Sequence, residues 1–154
     1  MGKSSVGLAL ARSMGCTFIE GDDFHSHLNK KKMSDGFPLN DADREIWLSK
    51  LSTIAGNAKE CTVIACSALK KIYRRILSNH TNRTIFVHLK GSKEEVTERL
   101  NNRTEHFFNS VLLDSQFATL EPLSSTEDGF EVQINQEIDL IVAEIITSLN
   151  DLYS

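Results

Sequence analysis

Long hydrophobic runs are missing from this 154-residue chain: no apolar stretch approaches bilayer-spanning length, and the first residues carry no signal-peptide pattern, so no membrane association is expected. An excess of basic charge is missing too. Seventeen Lys and Arg against 21 Asp and Glu leave a net charge of -4, which gives no basic field for DNA or RNA, and no nucleic-acid partner is expected. Cysteine is scarce and odd in number, and Cys16, Cys61 and Cys66 have no metal-ligand spacing. Two of them fall in apolar, strand-like surroundings, which predicts reduced core thiols in a cytoplasmic protein. The Asn-Arg-Thr triplets at 82–84 and 102–104 match the glycosylation pattern but carry no meaning without secretion. Internal repeats and low-complexity linkers are also lacking, so residues 1–154 read as one domain, long enough for a continuous core.

What is present alternates short apolar runs with helical patterns. Ser4 to Met14 reads as a helix with Val6, Leu10 and Met14 on one stripe and Gly15 at the left-handed C-cap. Strands are predicted at 17–20, 62–66, 84–89 and 131–134. Asn40 to Ala58 forms a strong helix, capped by Asn40 or Asp41, with Trp47, Leu51, Ile54, Ala55 and Ala58 on one face. Ser92 to Glu95 is a capping box that opens a helix through Leu100, and Ile138, Ile141, Val142, Ile145, Ile146, Leu149 and Leu152 mark the apolar stripe of a closing helix. This rhythm predicts an α/β domain with a parallel sheet, in which ligands bind beyond the carboxyl ends of the strands.

Gly2-Lys3-Ser4 at the start of the first helix is the closing half of a phosphate-binding loop of the form G-x-x-x-x-G-K-[ST]. In such a loop the backbone N–H groups wrap the phosphates, the Lys reaches the β/γ oxygens and the hydroxyl holds Mg²⁺. The alternative is an ordinary helix start with a Ser N-cap. Four stretches after strands bear on the choice. Glu20-Gly21-Asp22-Asp23-Phe24-His25 sets carboxylates where they can orient Mg²⁺ or take a proton from an attacking hydroxyl, unless it is only a solvated acidic turn. In the segment from Gly36 to Trp47, Arg44 offers a planar fork that suits a carboxylate, while Asp41 and Asp43 complement a helix dipole. Between Cys66 and Arg75, Ser67 and Arg74 are placed to meet an anionic or polyhydroxyl ligand, and a solvated face explains Lys71 and Arg75. Arg99 and Arg103 precede the aromatic segment His106-Phe107-Phe108 and suit a lid over transferring phosphate, though they also share a helical face as a plain surface pair.

Taken together, Gly21 to His25, Lys32-Met33, Gly36, Pro38 to Asp41, Asp43-Arg44, Trp47, Cys66 to Lys71 with Tyr73-Arg74, Arg103 with His106 to Phe108, and Gln116-Phe117 with Thr119 to Pro122 resemble the gluconokinase family. The match runs from Gly2 to the last helix. The resemblance implies a P-loop fold of the shikimate-kinase type, a three-layer α/β sandwich, and phosphorylation of D-gluconate on its C6 hydroxyl by Mg·ATP, a step in sugar-acid catabolism. It implies that Gly2, Lys3, Ser4 and Ser5 hold ATP, with Lys3 on the β/γ-phosphates, and that Ser4 and Glu20 face Mg²⁺. Asp22 would orient or deprotonate the C6 hydroxyl. His25, Arg44, Ser67 and Arg74 would line the gluconate pocket, with Arg44 toward the carboxylate. Arg99 and Arg103 would belong to a lid near 99–122, and Arg103 would also serve catalysis. A homodimer is also implied.

Three positions depart from the family pattern. Glu20 stands for the usual Asp, Glu105 for a Gly in the lid, and Asn135 for an Asp after the last strand. The larger departure is at the front, where the family has an apolar strand and a loop like G-V-S-G-x-G-K-S. In the strand order 2-3-1-4-5 implied by the resemblance, that strand is the central one. Its absence leaves buried backbone groups unpaired at about 1–3 kcal/mol each, against a typical stability of about 5–15 kcal/mol. The expectation is a sequence incomplete relative to the working enzyme. Two alternatives to a gluconate kinase stand beside it: a non-catalytic gluconokinase-like binding protein, and a kinase for another small hydroxy acid such as shikimate.

Overall fold

The computed structural model describes residues 2–81, 83–101 and 110–153. In chain order the elements are α1 (Lys3–Met14), β1 (Thr17–Glu20), a 3₁₀ turn (Gly21–Phe24), α2 (His27–Ser34), α3 (Asp41–Asn57), β2 (Thr62–Ala65), α4 (Lys71–Ser78), β3 (Phe86–Lys90), α5 (Lys93–Asn101), α6 (Ser110–Thr119), β4 (Gly129–Gln133) and α7 (Ile138–Tyr153). Among the described residues no helix is long and apolar enough to cross a membrane. Local chemistry sets the boundaries. Gly15 takes φ 69° and its N–H closes α1 on the Ala11 carbonyl. Asn40 accepts from the Asp43 amide while the Asp43 carboxylate accepts from the Asn40 amide, a reciprocal cap that fixes the start of α3. Ser92 and Glu95 do the same for α5.

The strands form two parallel pairs. β1 lies beside β2 with Thr17 opposite Thr62, and β3 beside β4 with Phe86 opposite Gly129. One apolar cluster joins Val6 and Leu10 of α1 to Leu89, Val96, Val132 and Ile141. The other joins Trp47, Leu48 and Leu51 of α3 to Leu69, Tyr73 and Leu77. These are the two helical layers of an α/β sandwich. Between β2 and β3, below α1, runs a cavity of about 630 Å³.

The periodicity needs adjustment at its ends. On α3, Leu48 and Ser52 are fully buried and Ala58 is exposed, because the packed face follows Arg44, Trp47, Leu48 and Leu51. Met14, Ile138 and Leu152 reach solvent, so the apolar stripes of α1 and α7 are not buried along their whole length.

The reduced-thiol expectation is overturned for two of the three cysteines. Cys16 and Cys61 form a disulfide, with Cα atoms 5.0 Å apart. The β1–β2 register explains it, since pairing Thr17 with Thr62 sets the preceding residues side by side. Cys66 remains a thiol, and burial pushes its pKa up to about 12. Unfolding without reductant is therefore expected to expose one titratable thiol, rising to the full three after reduction; three thiols in both conditions would remove the bridge.

Candidate active site

The site grows from the first turn of α1. Gly2 sits at φ 86°, a left-handed geometry that L-residues avoid, and its carbonyl receives the Val6 amide. The first-turn amides of Lys3, Ser4 and Ser5 lie at the positive end of the helix, which favours an anion. From this turn the Ser4 hydroxyl donates to the Glu20 carboxylate at the end of β1. Two hard oxygens meeting there fit Mg²⁺, which takes one or two protein oxygens and completes its shell with phosphates and water. Among the described residues no group of three or more His, Cys, Asp or Glu could hold a metal without such help.

Gly21 lets the chain turn sharply after β1. A Cβ there would lie 2.5 Å from the Ala65 carbonyl oxygen, so the ends of β1 and β2 meet over a residue without a side chain. The 3₁₀ turn then presents Asp22 beside His25, with Oδ1 and Nε2 3.6 Å apart. Desolvation tends to raise the Asp22 pKa. The hydrogen bond to His25 and the charges of Lys3, His25 and Arg44 outweigh it and hold the carboxyl below its usual range. His25 is buried and stacks on Trp47 with ring centroids 3.8 Å apart. Trp47 Nε1 donates to the Gly21 carbonyl at 2.8 Å, so the same indole fixes both the turn and the imidazole. His25 Nδ1 is buried without a hydrogen-bond partner among the described residues, which suits a polar ligand atom.

Arg44 projects from α3 into the same space. Its guanidinium lies 5.4 Å from the Tyr73 ring centroid and 6.0 Å from that of Trp47, and Nη1 donates to Ser67 Oγ at 3.4 Å. Burial pulls its pKa down, opposed by Tyr73, Cys66, Asp22 and Asp41. Asp41 accepts from Tyr73 at 2.5 Å and from Lys70 at 2.9 Å, and these bonds lower its pKa. The sequence signal for this pairing is weak, because Asp41 alone looks like a dipole complement and Tyr73 lies 32 residues away.

Arg74 is not available to a ligand in the way its sequence position suggests. Its Nε and Nη2 hold Glu127 at 2.5 and 3.1 Å. Nη1 donates to the carbonyls of Ala68 and Leu69, and Nη2 also to that of Pro122. Each of the five N–H groups of a guanidinium therefore has an acceptor, and the side chain is 4% exposed. Arg74 ties the loop after β2 to the segment before β4. The same seam carries a bond from the Glu121 amide to Leu69 and one from the Lys71 amide to the Glu121 carboxylate. Lys3, Ser4, Glu20, Asp22, His25, Arg44 and Ser67 are brought together; Arg74 stands behind them. Arg99 is placed in α5, but its side chain, and Arg103 with the centre of the expected lid, lie outside the described residues.

Comparison with known proteins follows this geometry. A family model described as shikimate kinase matches residues 1–150. A probable gluconokinase of Dictyostelium discoideum is 43% identical, over 96% of this chain and 80% of its own length. The thermoresistant gluconokinase of Escherichia coli is 38% identical over 94% and 85%. The crystal structure of a gluconokinase from Sinorhizobium meliloti superposes with a TM-score of 0.91 at 41% identity, covering 98% of this chain and 86% of that one. Matches of this extent show that the chain belongs to the gluconokinase family, kinases built on the shikimate-kinase type of α/β P-loop fold.

Proposed function

We propose that this chain transfers the γ-phosphoryl group of ATP to the C6 hydroxyl of D-gluconate. The observation that carries the reading is the convergence of Lys3, Ser4, Glu20, Asp22 and Arg44 at the carboxyl ends of β1 and β2. Lys3 and the first-turn amides of α1 hold the β/γ-phosphates. Ser4 and Glu20 are the residues that would hold Mg²⁺, which when bound neutralises charge on the phosphate oxygens. Arg44 receives the sugar-acid carboxylate, with the Tyr73 and Trp47 rings fixing its plane. His25 Nδ1 meets a hydroxyl of the chain. Asp22 orients the C6 hydroxyl in line with the γ-phosphorus. As the new O–P bond forms and ADP departs, the hydroxyl proton passes to Asp22 or to water. Its lowered pKa makes Asp22 a dependable acceptor of a hydrogen bond and a weak base, so it acts first by orientation. Arg99 and Arg103 would close over the nucleotide.

A coupled ADP-release assay with D-gluconate, shikimate and no acceptor tests the reading. ADP release dependent on gluconate is expected; dependence on shikimate, or none on any sugar acid, overturns it. In the same assay Arg44→Lys is expected to raise KM for gluconate about 10- to 100-fold with kcat nearly unchanged, the loss of one charge-assisted pair at about 1.5–3 kcal/mol. An unchanged KM would move the carboxylate elsewhere.

A further inference from the structure

Arg44 is a buried cation with little to hold it. Its one side-chain hydrogen bond among the described residues is the 3.4 Å donation to Ser67 Oγ, and no carboxylate pairs with it there. A desolvated guanidinium without a counter-charge is costly, so the absence of an acid partner calls for a cause. Three acids stand close enough to feel its charge: Asp22, Asp41 and Asp43. Each is held by another group. Asp22 is beside His25, and Asp43 takes the Lys32 ammonium at 2.6 Å together with the Asn40 amide at 3.0 Å.

Asp41 is the acid best placed to claim Arg44. It lies three residues earlier on α3, the spacing at which helical side chains meet and at which Asp and Arg ordinarily pair. Its carboxylate goes elsewhere, because Oδ1 accepts from Tyr73 Oη at 2.5 Å and from Lys70 Nζ at 2.9 Å. Both donors come from the segment that follows β2 and opens α4. Tyr73 is buried with its ring centroid 5.4 Å from the Arg44 guanidinium, so the side chain that holds Asp41 also walls the arginine. Lys70 Nζ lies 5.6 Å from the centroid of the same ring. The phenol and the ammonium thus converge on one carboxylate oxygen of the residue that would otherwise neutralise Arg44.

We propose that Tyr73 and Lys70 are positioning residues that keep the Asp41 carboxylate off Arg44, so that the guanidinium stays open to the carboxylate of an acidic substrate. Without these two donors, the tethered acid on the same helix becomes an internal competitor for the site. The inference rests on the assignment of Arg44 to the sugar-acid carboxylate, and adds the two groups that make the arginine available.

The test is a cycle of variants of the full chain: Lys70→Met with Tyr73→Phe, Asp41→Asn alone, and all three together. Phe keeps the ring beside Arg44 and Met keeps an unbranched stem, so the two donors go and little else changes. In the ADP-release assay the double variant is expected to raise KM for D-gluconate about 5- to 20-fold, with kcat within about twofold. Asp41→Asn alone is expected to stay within about twofold of the parent KM, and the triple variant to return to within about threefold of it. Recovery on removing a third group separates competition from damage to packing, which would leave the triple variant as poor as the double. An unchanged KM in the double variant, no recovery in the triple, or a comparable rise in Asp41→Asn alone would each overturn the proposal. A crystal structure of the double variant without substrate gives a readout free of turnover. Asp41 is expected within about 4 Å of the Arg44 guanidinium; an Asp41 carboxylate left in solvent overturns the proposal whatever the kinetics. Should the parent chain release no ADP with gluconate, the acceptor assigned above fails, and the same crystal structure still decides whether Tyr73 and Lys70 hold Asp41 off Arg44.

Discussion

Replacing Asp22 by Asn is expected to lower kcat for the proposed phosphoryl transfer by about 10²- to 10⁴-fold, the usual contribution of a positioned acid or base, with KM within a few-fold. Asn keeps the size and can still meet His25, but it loses the charge that Lys3 and Arg44 stabilise. Asp23→Asn is the control. It is exposed in the same turn, and if the acidic stretch were only a solvated surface the two variants would behave alike. The pH profile carries a sign. The carboxyl is held below its ordinary value, so the ionised, active form persists as pH falls through the normal aspartate range near about 3.9, and the acid limb of kcat/KM lies below that value. An acid limb near neutrality, or an Asp22→Asn variant with more than a tenth of the parent activity, would assign the role to another group.

Replacing Glu127 by Ala is expected to destabilise the chain by about 3 kcal/mol, because it strands the Arg74 charge in a nearly dry setting. The side chains of the pair are 4% and 9% exposed, and two of the five guanidinium bonds end on this one carboxylate. For a domain of this size that loss corresponds to a fall in Tm of about 6–12 °C. Glu121→Ala removes an exposed bond to the Lys71 amide and should cost under about 1 kcal/mol. A Glu127 variant as stable as the parent would show that the ion pair contributes nothing net. The Arg74 bond holds the Glu127 pKa below its unfolded value, so the stability it adds is present above the ordinary glutamate range and disappears as pH falls through the lowered value. Glu127→Gln should flatten that part of the acid unfolding curve. Because Arg74 also holds the carbonyls of Ala68 and Leu69, kcat/KM should fall with stability, through the loop that carries Ser67.

The parts legible in the sequence were those written in short-range code. Gly15, the Asn40 cap and the Ser92–Glu95 box each need only neighbours within four residues, and each lies where that chemistry puts it. The place of the carboxylates at the end of β1 was legible too, because it follows directly from where the short apolar run 17–20 stops. Helix α2 was not anticipated. Its only buried residue is Asn29, so no apolar stripe announces it, and the signal that existed was Ser26, whose hydroxyl caps the Asn29 amide. The Cys16–Cys61 bridge and the pairing of Arg74 with Glu127 join residues 45 and 53 positions apart. Neither partner is marked locally, and only strand register and loop packing bring them together. Arg74 shows the cost of reading a basic side chain near a cleft as a ligand group when a buried acid is out of sight.

Trp47 is the single tryptophan of the chain, and its indole stacks on His25, lies under Arg44 and hydrogen-bonds the turn that holds Asp22. The protein therefore carries a built-in fluorophore at the floor of the proposed acid-binding pocket, so on that proposal sugar-acid occupancy should be readable in bulk from the emission of the unlabelled chain, without any turnover.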